Sequence, residues 1–161
     1  MVKNKVLVYP NKKLMLISKK IKYMDLELEY IIKNMFKIMY DKDGIGLAAI
    51  QIGINLNLIV LDINNSRNKK IVLINPKIIN YHGSYLGYEA CLSFPGVYVK
   101  ILRYEYVKVF YINQFGYRCL LEGRNILSRC IQHEIDHLKG VTIFNHVSEI
   151  KKKRIYSKIC K

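Results

Sequence analysis

The spacing of apolar residues predicts an amphipathic helix in the first quarter of the chain. Between residues 25 and 40, apolar side chains return every three or four positions, which is the period of one buried helical stripe. The stripe consists of Leu28, Ile31, Ile32, Met35, Phe36 and Met39. Asp25 suits the N-cap, and the turn-forming residues 41–44 end the pattern.

Shorter apolar runs after residue 55 predict β-strands. The five runs cover residues 56–62, 71–75, 97–102, 106–112 and 117–121. Residues 113–116, Asn-Gln-Phe-Gly, have the composition of a hairpin connection between the last two strands. The polar stretch at residues 64–70 predicts a surface loop.

Helical spacing returns from about Arg124 and continues to Gly140, which lies where a C-terminal stop is expected. The positions on this second stripe are Ile126, Leu127, Cys130, Ile131, Glu134 and His137. A last segment, residues 148–161, is predicted to be a short basic helix. Its apolar positions are Ile150, Ile155 and Ile159.

The order of these elements predicts the fold class. A helix, several strands, a second helix and a short terminal helix favour an α+β fold, with mixed or antiparallel sheets packed around the second helix. No internal repeat, low-complexity tract or Pro/Gly/Ser-rich linker interrupts the chain. We therefore expect residues 1–161 to form a single domain.

The chain is strongly basic, but its charge does not identify a partner. Its 27 Lys and Arg residues against 12 Asp and Glu residues give a formal net charge of +15. Such a charge suits a polyanion such as RNA or DNA. Lysine outnumbers arginine 21 to 6, however, and the abundance of Lys, Ile, Asn and Tyr also fits an AT-rich codon bias without any binding role.

Hydropathy and cysteine usage bear on the compartment. No stretch approaches the roughly 18 apolar residues that a membrane span needs, and the apolar segment at residues 6–9 is too short for a secretory signal. We therefore expect a cytoplasmic protein with no membrane association. The four cysteines lack CxxC spacing, which favours free thiols over a disulfide framework. They are Cys91, Cys119, Cys130 and Cys160.

Residues 133–137, His-Glu-Ile-Asp-His, form an HExxH motif inside the second predicted helix. Residues four apart share a helix face, so His133 and His137 can both direct an imidazole nitrogen at one metal ion. Glu134 lies beside that face, where it can act on water as a general base. Helical histidine pairs can also be plain surface residues, but the uninterrupted helical context favours a metal site.

A catalytic metal site needs a third protein ligand. In the extended HExxHxxGxxH pattern the third histidine would fall on Ile143, which cannot bind a metal. His146 lies outside that register, so it and His82 are expected to be ordinary polar histidines. Cys91, in a compact segment before a predicted strand, is the better candidate, because a thiolate and two imidazoles leave a fourth position for water.

Residues 44–51, Gly-Ile-Gly-Leu-Ala-Ala-Ile-Gln, are rich in small side chains. Small residues allow the backbone to approach a ligand or a neighbouring helix closely. A glycine-rich turn before a buried strand would have the same composition. No Gly-Lys-Ser/Thr sequence follows the glycines, which argues against a phosphate-binding loop.

Taken together, these three segments resemble the motifs of the peptide deformylase family. The family motifs GxGLAAxQ, EGCLS and QHExDH correspond, in this order, to residues 44–51, 89–93 and 132–137. The segments between the motifs have family-like lengths, so the resemblance covers nearly the whole chain. It implies an enzyme that hydrolyses the N-formyl group from the N-terminal methionine of newly synthesised proteins and releases formate.

The resemblance also implies roles for individual residues. The metal ligands would be Cys91, His133 and His137. The family typically uses Fe(II) in the cell and tolerates nickel, cobalt or zinc. Glu134 would move a proton from the attacking water to the leaving amine. The metal, the Gln51 side-chain amide and the Leu92 backbone N–H would stabilise the oxyanion.

The same matching implies how the peptide binds. Gly46 and its neighbours would bind the peptide backbone in an extended form. The pocket for the methionine side chain would be bordered by Ile45, Ile126, Cys130 and the His133 ring. Cys130 is therefore expected to be a wall residue and not a ligand.

Three positions depart from the family pattern. Ala90 replaces the usual glycine and adds a methyl group where the peptide passes. Tyr98 stands where many members carry an arginine near the substrate, and Arg129 stands where an apolar residue commonly lines the pocket. These changes bear on peptide affinity and side-chain selectivity, while Arg103 matches a common family arginine. Because the implied ligands are intact, an active enzyme is expected.

The basic C-terminal segment bears on partners. Residues 151–161 contain six basic residues and no acidic residue. This pattern can be a solvated helix face, but the resemblance implies docking to the ribosome near the exit tunnel, where formyl-methionine chains emerge. The protein is otherwise expected to be a monomer.

Two other classes of protein compete with this interpretation. The first is an HExxH endopeptidase, which the absence of the third histidine disfavours. The second is a basic nucleic-acid or ribosome-binding module, including a decayed deformylase. Intact Gln51, Cys91 and Glu134 argue against decay, and no recognised RNA-binding signature is present.

Overall fold

The computed structural model describes residues 5–159, with the backbone alone at residues 158 and 159. In chain order the strands are β1 (Gly46–Ala48), β2 (Leu58–Leu61), β3 (Ile71–His82), β4 (Tyr85–Cys91), β5 (Phe94–Arg103), β6 (Tyr106–Ile112) and β7 (Arg118–Arg124). The helices are α1 (Leu26–Tyr40), α2 (Asn125–Leu138) and α3 (Glu149–Ile159). Cys160 and Lys161, expected as a free thiol and as the end of the basic helix, lie outside the described residues.

Five strands form an antiparallel sheet in the order β1-β2-β3-β6-β7, and a helix covers each of its faces. Strand β2 shows this arrangement directly. Leu58 and Val60 pack toward α1, whereas Ile59 and Leu61 pack toward α2. Because both faces are covered, the strand is a continuous apolar run with no polar alternation. The predicted α+β class with antiparallel sheets is confirmed.

Helix α1 begins and ends where the apolar spacing predicts. The Asp25 carboxylate accepts a hydrogen bond from the Leu28 backbone N–H at 2.8 Å, which satisfies one of the free donors of the first turn. The buried side chains of the helix are Leu28, Ile32, Met35, Phe36 and Met39. They are the predicted stripe without Ile31, which is only partly buried.

The predicted hairpin between the last two strands is also confirmed. Strands β6 and β7 pair in register from Tyr106 opposite Arg124 to Ile112 opposite Arg118. In the connection, the Asn113 side-chain oxygen accepts hydrogen bonds from the backbone at residues 115 and 117. Strand β7 extends to Arg124, three residues beyond the predicted end at residue 121.

Strand β3 corrects a second boundary, since it runs to His82 and not to residue 75. Asn75 adopts a left-handed conformation (φ 51°) and precedes a proline, which in sequence is typical of a strand end. The structure instead places a β-bulge between Ile74 and Lys77. The Asn75 side chain bonds the backbone of Ile21 at 2.8 and 3.0 Å, and this contact fixes the bulge.

A separate two-stranded sheet, β4 and β5, carries part of the site. Strand β4 was missed by the sequence prediction, which placed only a compact segment there. Its outward side carries exposed Leu86 and Tyr88, and Tyr85 at the start of the inward side is exposed as well, so the buried positions do not stand out as an apolar series. On β5, inward residues alternate with outward ones, and the inward series ends in buried Arg103.

Helix α2 packs close to β7 and against β1 and β2. An added Cβ at Gly123 on β7 would lie 3.0 Å from Ile131 Cδ1, so the glycine permits this approach. Ile131 and Ile135 point into the core beneath the sheet. The opposite face of the helix is thereby directed at the β4–β5 hairpin.

Helix α3 is anchored by fewer residues than the sequence suggested. Ile155 is buried with Phe94 and Phe144 in a third apolar cluster. Ile150, another apolar position of the predicted helix, is 69% exposed, because the helix presents one narrow stripe to the protein. For Ile159 the structure describes the backbone alone. None of the helices within residues 5–159 is long and apolar enough to cross a membrane.

Candidate metal centre and active site

Helix α2 holds the two histidines of the HExxH motif on one buried face. The ring centroids of His133 and His137 lie 5.0 Å apart, and both side chains are almost fully buried. This proximity follows from their spacing of four residues along the helix.

Strand β4 delivers the third residue, Cys91, at its C-terminal end. Its Sγ lies 3.2 Å from His137 Nε2, and the ligand atoms of Cys91, His133 and His137 all lie within 4.8 Å of one another. Within the described residues this is the one group of three such side chains whose ligand atoms cluster. One thiolate and two imidazoles at this separation fit a divalent metal ion with nitrogen and sulfur ligands.

The alternative ligands considered from the sequence lie elsewhere. The His82 ring stacks on Tyr106, with centroids 4.4 Å apart. His146 Nε2 lies 2.8 Å from an Asp136 carboxylate oxygen. Both are ordinary polar histidines, as predicted.

A buried charge network supports His133 from behind. His133 Nδ1 lies 2.9 Å from Glu89 Oε2, which leaves Nε2 for the metal. Arg103 binds the same carboxylate through two nitrogens, at 2.8 and 3.0 Å, and donates to Asp136 at 2.5 Å. Sequence reasoning gave this network no role. The sequence feature that could have indicated it is Arg103 at an inward position of the alternating β5 pattern, because a buried charge needs partners.

The pKa values of the two histidines are shifted in opposite directions. Burial alone would lower the pKa of His133, but its hydrogen bonds to Cys91 and Glu89 outweigh that effect and hold the pKa well above its usual value. Burial and the neighbouring His133 charge hold the pKa of His137 well below its usual value. Burial opposes ionisation of Glu89, yet its bonds to His133 and Arg103 lower its pKa to about 2.

Glu134 lies next to the ligands and is only 4% exposed. Burial, the largest effect, raises its pKa to about 7. Its Oε2 atom is buried and has no hydrogen-bond partner within the described residues. A carboxylate of this pKa can both accept and return a proton near neutral pH.

Gly46 on β1 packs directly against Glu134. A Cβ added there would lie 2.6 Å from both Glu134 Oε1 and Cys130 Sγ. The small residue therefore allows the backbone to approach helix α2, one of the alternatives that the glycine-rich segment left open. Burial raises the pKa of Cys130 well above its ordinary value, and the Glu134 charge adds to the effect. The thiol therefore stays protonated and suits a wall residue.

Gln51 directs its side-chain amide toward the metal ligands. Its Oε1 accepts the Ala48 backbone N–H at 2.8 Å, which fixes the orientation of the amide. Its Nε2 donates to Cys91 Sγ at 3.6 Å and to Ser93 Oγ at 3.3 Å. Leu92 follows Cys91 in the turn between β4 and β5 and borders the same space.

A cavity of about 1030 Å³ opens in front of this cluster. All five sequence-predicted substrate residues line it, namely Ile45, Gly46, Ile126, Cys130 and His133. Gln51, Cys91, Leu92 and Glu134 line it as well. The three departures from the family pattern, Ala90, Tyr98 and Arg129, are also on its walls. His137 lies behind this surface.

Fold and site together define a metal-dependent hydrolase: a cysteine and two histidines with a buried carboxylate beside them, facing one cavity. Comparison with known proteins narrows this class. A family model described as polypeptide deformylase matches residues 3–153. The chain belongs to the peptide deformylase family.

Individual relatives match this chain over almost their full lengths. A peptide deformylase of Pseudoalteromonas translucida is 40% identical over 96% of this chain and 92% of its own. One from Buchnera aphidicola subsp. Schizaphis graminum is 43% identical over 98% and 94%. The crystal structure of a peptide deformylase from Legionella pneumophila superposes with a TM-score of 0.95, at 38% identity over 97% of this chain and 92% of its own.

Proposed function

We propose that this chain removes the N-formyl group from the N-terminal methionine of newly synthesised proteins, with release of formate. The observation that carries the proposal is the Cys91–His133–His137 cluster beside buried Glu134 in one open cavity. The intact cluster disfavours a decayed enzyme.

The metal would be held by Cys91, His133 and His137, one ion per chain. We propose Fe(II) as the ion, with Ni(II), Co(II) or Zn(II) able to substitute, as the family resemblance implies. When bound, such an ion makes water a stronger acid and polarises a carbonyl oxygen. The His133–Glu89 hydrogen bond supports this assignment, because it fixes the ring orientation that a ligand needs.

Glu134 would act as the proton carrier. Its carboxylate takes a proton from the water that attacks the formyl carbon and then passes it to the leaving amine. The pKa of about 7 supports this double role, since both protonation states are accessible near neutral pH. Because Glu134 is not one of the proposed metal ligands, a variant at this position can lose proton transfer and still bind the metal.

Gln51 and Leu92 would stabilise the oxyanion that develops on the formyl oxygen. The Gln51 amide is supported in this role because its oxygen is bonded to Ala48, which directs Nε2 toward Cys91 and Ser93 at the wall of the cavity. The Leu92 backbone N–H follows the ligand Cys91 directly in the chain. Fixed donors of this kind need no reorganisation as the charge forms.

The methionine side chain would occupy the part of the cavity bordered by Ile45, Ile126, Cys130 and the His133 ring, with Gly46 next to the peptide backbone. Ile126 is 50% exposed and offers apolar surface at the entrance. A protonated Cys130 offers weakly polar surface at the back.

Cellular context completes the proposal. We propose that residues 1–161 act as one catalytic domain, as a monomer in the cytoplasm, and that the basic segment 148–161 contacts ribosomal RNA or protein near the exit tunnel. Lys151, Lys153 and Arg154 are exposed on α3. They can therefore reach a polyanionic surface.

The test is a formate-release assay on full-length protein purified without oxygen and loaded with Fe(II). Formyl-Met-Ala-Ser should yield formate and free Met-Ala-Ser in equal amounts, while the acetyl-Met peptide and internal peptide bonds stay intact or react far more slowly. Absence of formate from metal-loaded protein, or cleavage of an internal bond instead, would overturn the proposal.

A further inference from the structure

Arg129 occupies an unusual place for a cation. It lies on α2 one turn before His133 and lines the large cavity together with Ile126 and Cys130. The same side chain also lines an adjoining cavity of about 260 Å³. It therefore stands at the junction of the two spaces.

Three contacts hold the Arg129 guanidinium against strand β4. One terminal nitrogen donates to the Tyr88 carbonyl oxygen. The guanidinium carbon lies 5.4 Å from the centre of the Tyr85 ring. A Cβ added at Gly87 would come within 3.0 Å of that carbon, so the glycine provides the space that the group occupies. The charge is thus held in a defined position.

The Arg129 charge has no counter-ion among the described side chains. No carboxylate there forms an ion pair with it. Glu89, the nearest acid on β4, is bonded to Arg103 and His133, and Glu105 shares only the smaller cavity. Arg129 Nε is buried and has no hydrogen-bond partner within the described part of the chain. The terminal nitrogen that does not bond Tyr88 forms no hydrogen bond within the described residues either. A fixed guanidinium with such a free N–H donor matches a carboxylate.

We propose that Arg129 determines specificity by favouring formyl-methionine peptides that carry aspartate or glutamate at one of the first two residues after the methionine. This inference rests on the proposed function. Ile126 and Cys130, which border the proposed methionine pocket, lie on either side of Arg129 along α2 and line the same cavity. A residue that closely follows the methionine can therefore bring its side chain to the guanidinium.

The experiment compares three formyl-Met peptides of equal length that carry Asp, Asn or Lys at the second residue, and three more with these residues at the third. The kcat/KM for each peptide is divided by the same enzyme's value for the Asn peptide. We expect the wild-type enzyme to prefer the Asp peptide over the Lys peptide by about fivefold to tenfold at low salt, through a charge-assisted contact. The preference should shrink as salt increases.

Three variants separate this contact from the general positive charge of the protein. Arg129→Met should reduce the Asp-to-Lys ratio to within about twofold, whereas Arg129→Lys should retain most of it because the charge remains. Lys100→Met is the matched control. Lys100 lies over the Tyr88 ring at 5.1 Å but does not line the cavity. It should keep the wild-type ratio. Circular dichroism and thermal unfolding verify that each variant is folded.

The outcomes are distinct from those that test the proposed function. Formate release at equal efficiency from Asp and Lys peptides would overturn the role of Arg129 and leave the deformylase activity standing. Loss of the preference in Lys100→Met as great as in Arg129→Met would also overturn it, because the effect would then be long-range. Release of no formate from any peptide would instead refute the proposed function.

Discussion

At the scale of single residues, burial brings the pKa of Glu134 into the neutral range. A carboxyl group in water has a pKa near the ordinary value of 4.5, and burial beside the metal ligands raises that of Glu134 to about 7. The group can then serve as a base before the attack and as an acid after it. The neighbouring His133 and His137 instead lie with Cys91 in a cluster whose ligand atoms could hold a metal ion.

Replacing Glu134 with glutamine should separate catalysis from metal binding. The amide fills the same volume but cannot carry the proton, so kcat for formate release should fall by about 10² to 10⁴. Metal content and the thermal unfolding curve should stay near those of the wild type. Near-normal formate release by Glu134→Gln would contradict the proton-carrier role.

Removal of the Gln51 amide tests the oxyanion donors. Gln51→Ala should lower kcat by about 10² to 10³, the usual cost of one such donor. Ser93→Ala is the matched control, since it removes the hydroxyl that Gln51 also contacts at 3.3 Å but leaves the amide in place. Equal losses in the two variants would contradict a specific role of the Gln51 amide as an oxyanion donor.

The sequence predicts individual site residues to different degrees. The His133–His137 pair follows from helical periodicity, because residues four apart must share a face. Cys91 belongs to a distant hairpin, so only elimination of other ligands and the family resemblance pointed to it. The roles of Glu89 and Arg103 depend on which strands and helix lie next to each other in the fold. A local sequence pattern does not contain that information.

At the scale of elements, the β4–β5 hairpin is joined to α2 by charge as well as by packing. Arg103 on β5 bridges Glu89 on β4 and Asp136 on α2. Breaking such a buried pair on one side leaves carboxylates without compensation, which costs far more than losing a surface pair. The hairpin that carries Cys91 is thereby held to the helix that carries both histidines.

Arg103→Met should therefore destabilise the protein by about 3 kcal/mol or more, measured by urea unfolding. Lys108→Met is the control, since Lys108 pairs with Glu122 at the surface at 3.1 Å, and it should change stability far less. The double variant Arg103→Met/Glu89→Gln should recover part of the loss. Equal stabilities of Arg103→Met and the wild type would refute the role of the network.

Helices and strands marked by capping or turn residues in the sequence were predictable. Strands that exist only because they pair with another strand were not. Helix α1 and the β6–β7 hairpin have caps and turn residues in the sequence, so their existence was correctly predicted. Strands β1 and β4 were missed. The three-residue β1 becomes a strand only by pairing with β2, and β4 carries exposed aromatics that hide its buried positions.

At the scale of the whole molecule, helix α3 carries both exposed basic residues and a residue of the buried core, Ile155. Deleting the segment from Lys151 onward would remove its charges, but it would also remove Ile155. That side chain packs in the same apolar cluster as Cys91 and Phe94. A truncation would therefore confuse loss of ribosome contact with damage near the metal site.

Charge substitution avoids this problem. The triple variant Lys151→Gln/Lys153→Gln/Arg154→Gln keeps Ile155 and should retain hydrolysis of a short formyl-Met peptide. Its affinity for purified ribosomes should fall, and the slope of log affinity against log salt should become shallower by about two, because fewer counterions are released.

The control is a second triple variant at exposed lysines near the N-terminus. Lys12→Gln/Lys13→Gln/Lys20→Gln removes the same number of positive charges. It should affect ribosome binding less than the α3 variant. Equal effects of the two triples would show that only net charge matters and that α3 has no specific docking role.

Whether Cys91, His133 and His137 hold one catalytic metal ion is tested by the metal content of His137→Ala compared with that of His146→Ala. Both proteins are purified without oxygen after Fe(II) loading, and bound metal per chain is measured by elemental analysis. The wild type and His146→Ala should hold about one ion per chain, while His137→Ala should lose most of it. Wild-type metal content in His137→Ala would show that His137 is not a ligand and that the three residues do not form the metal site.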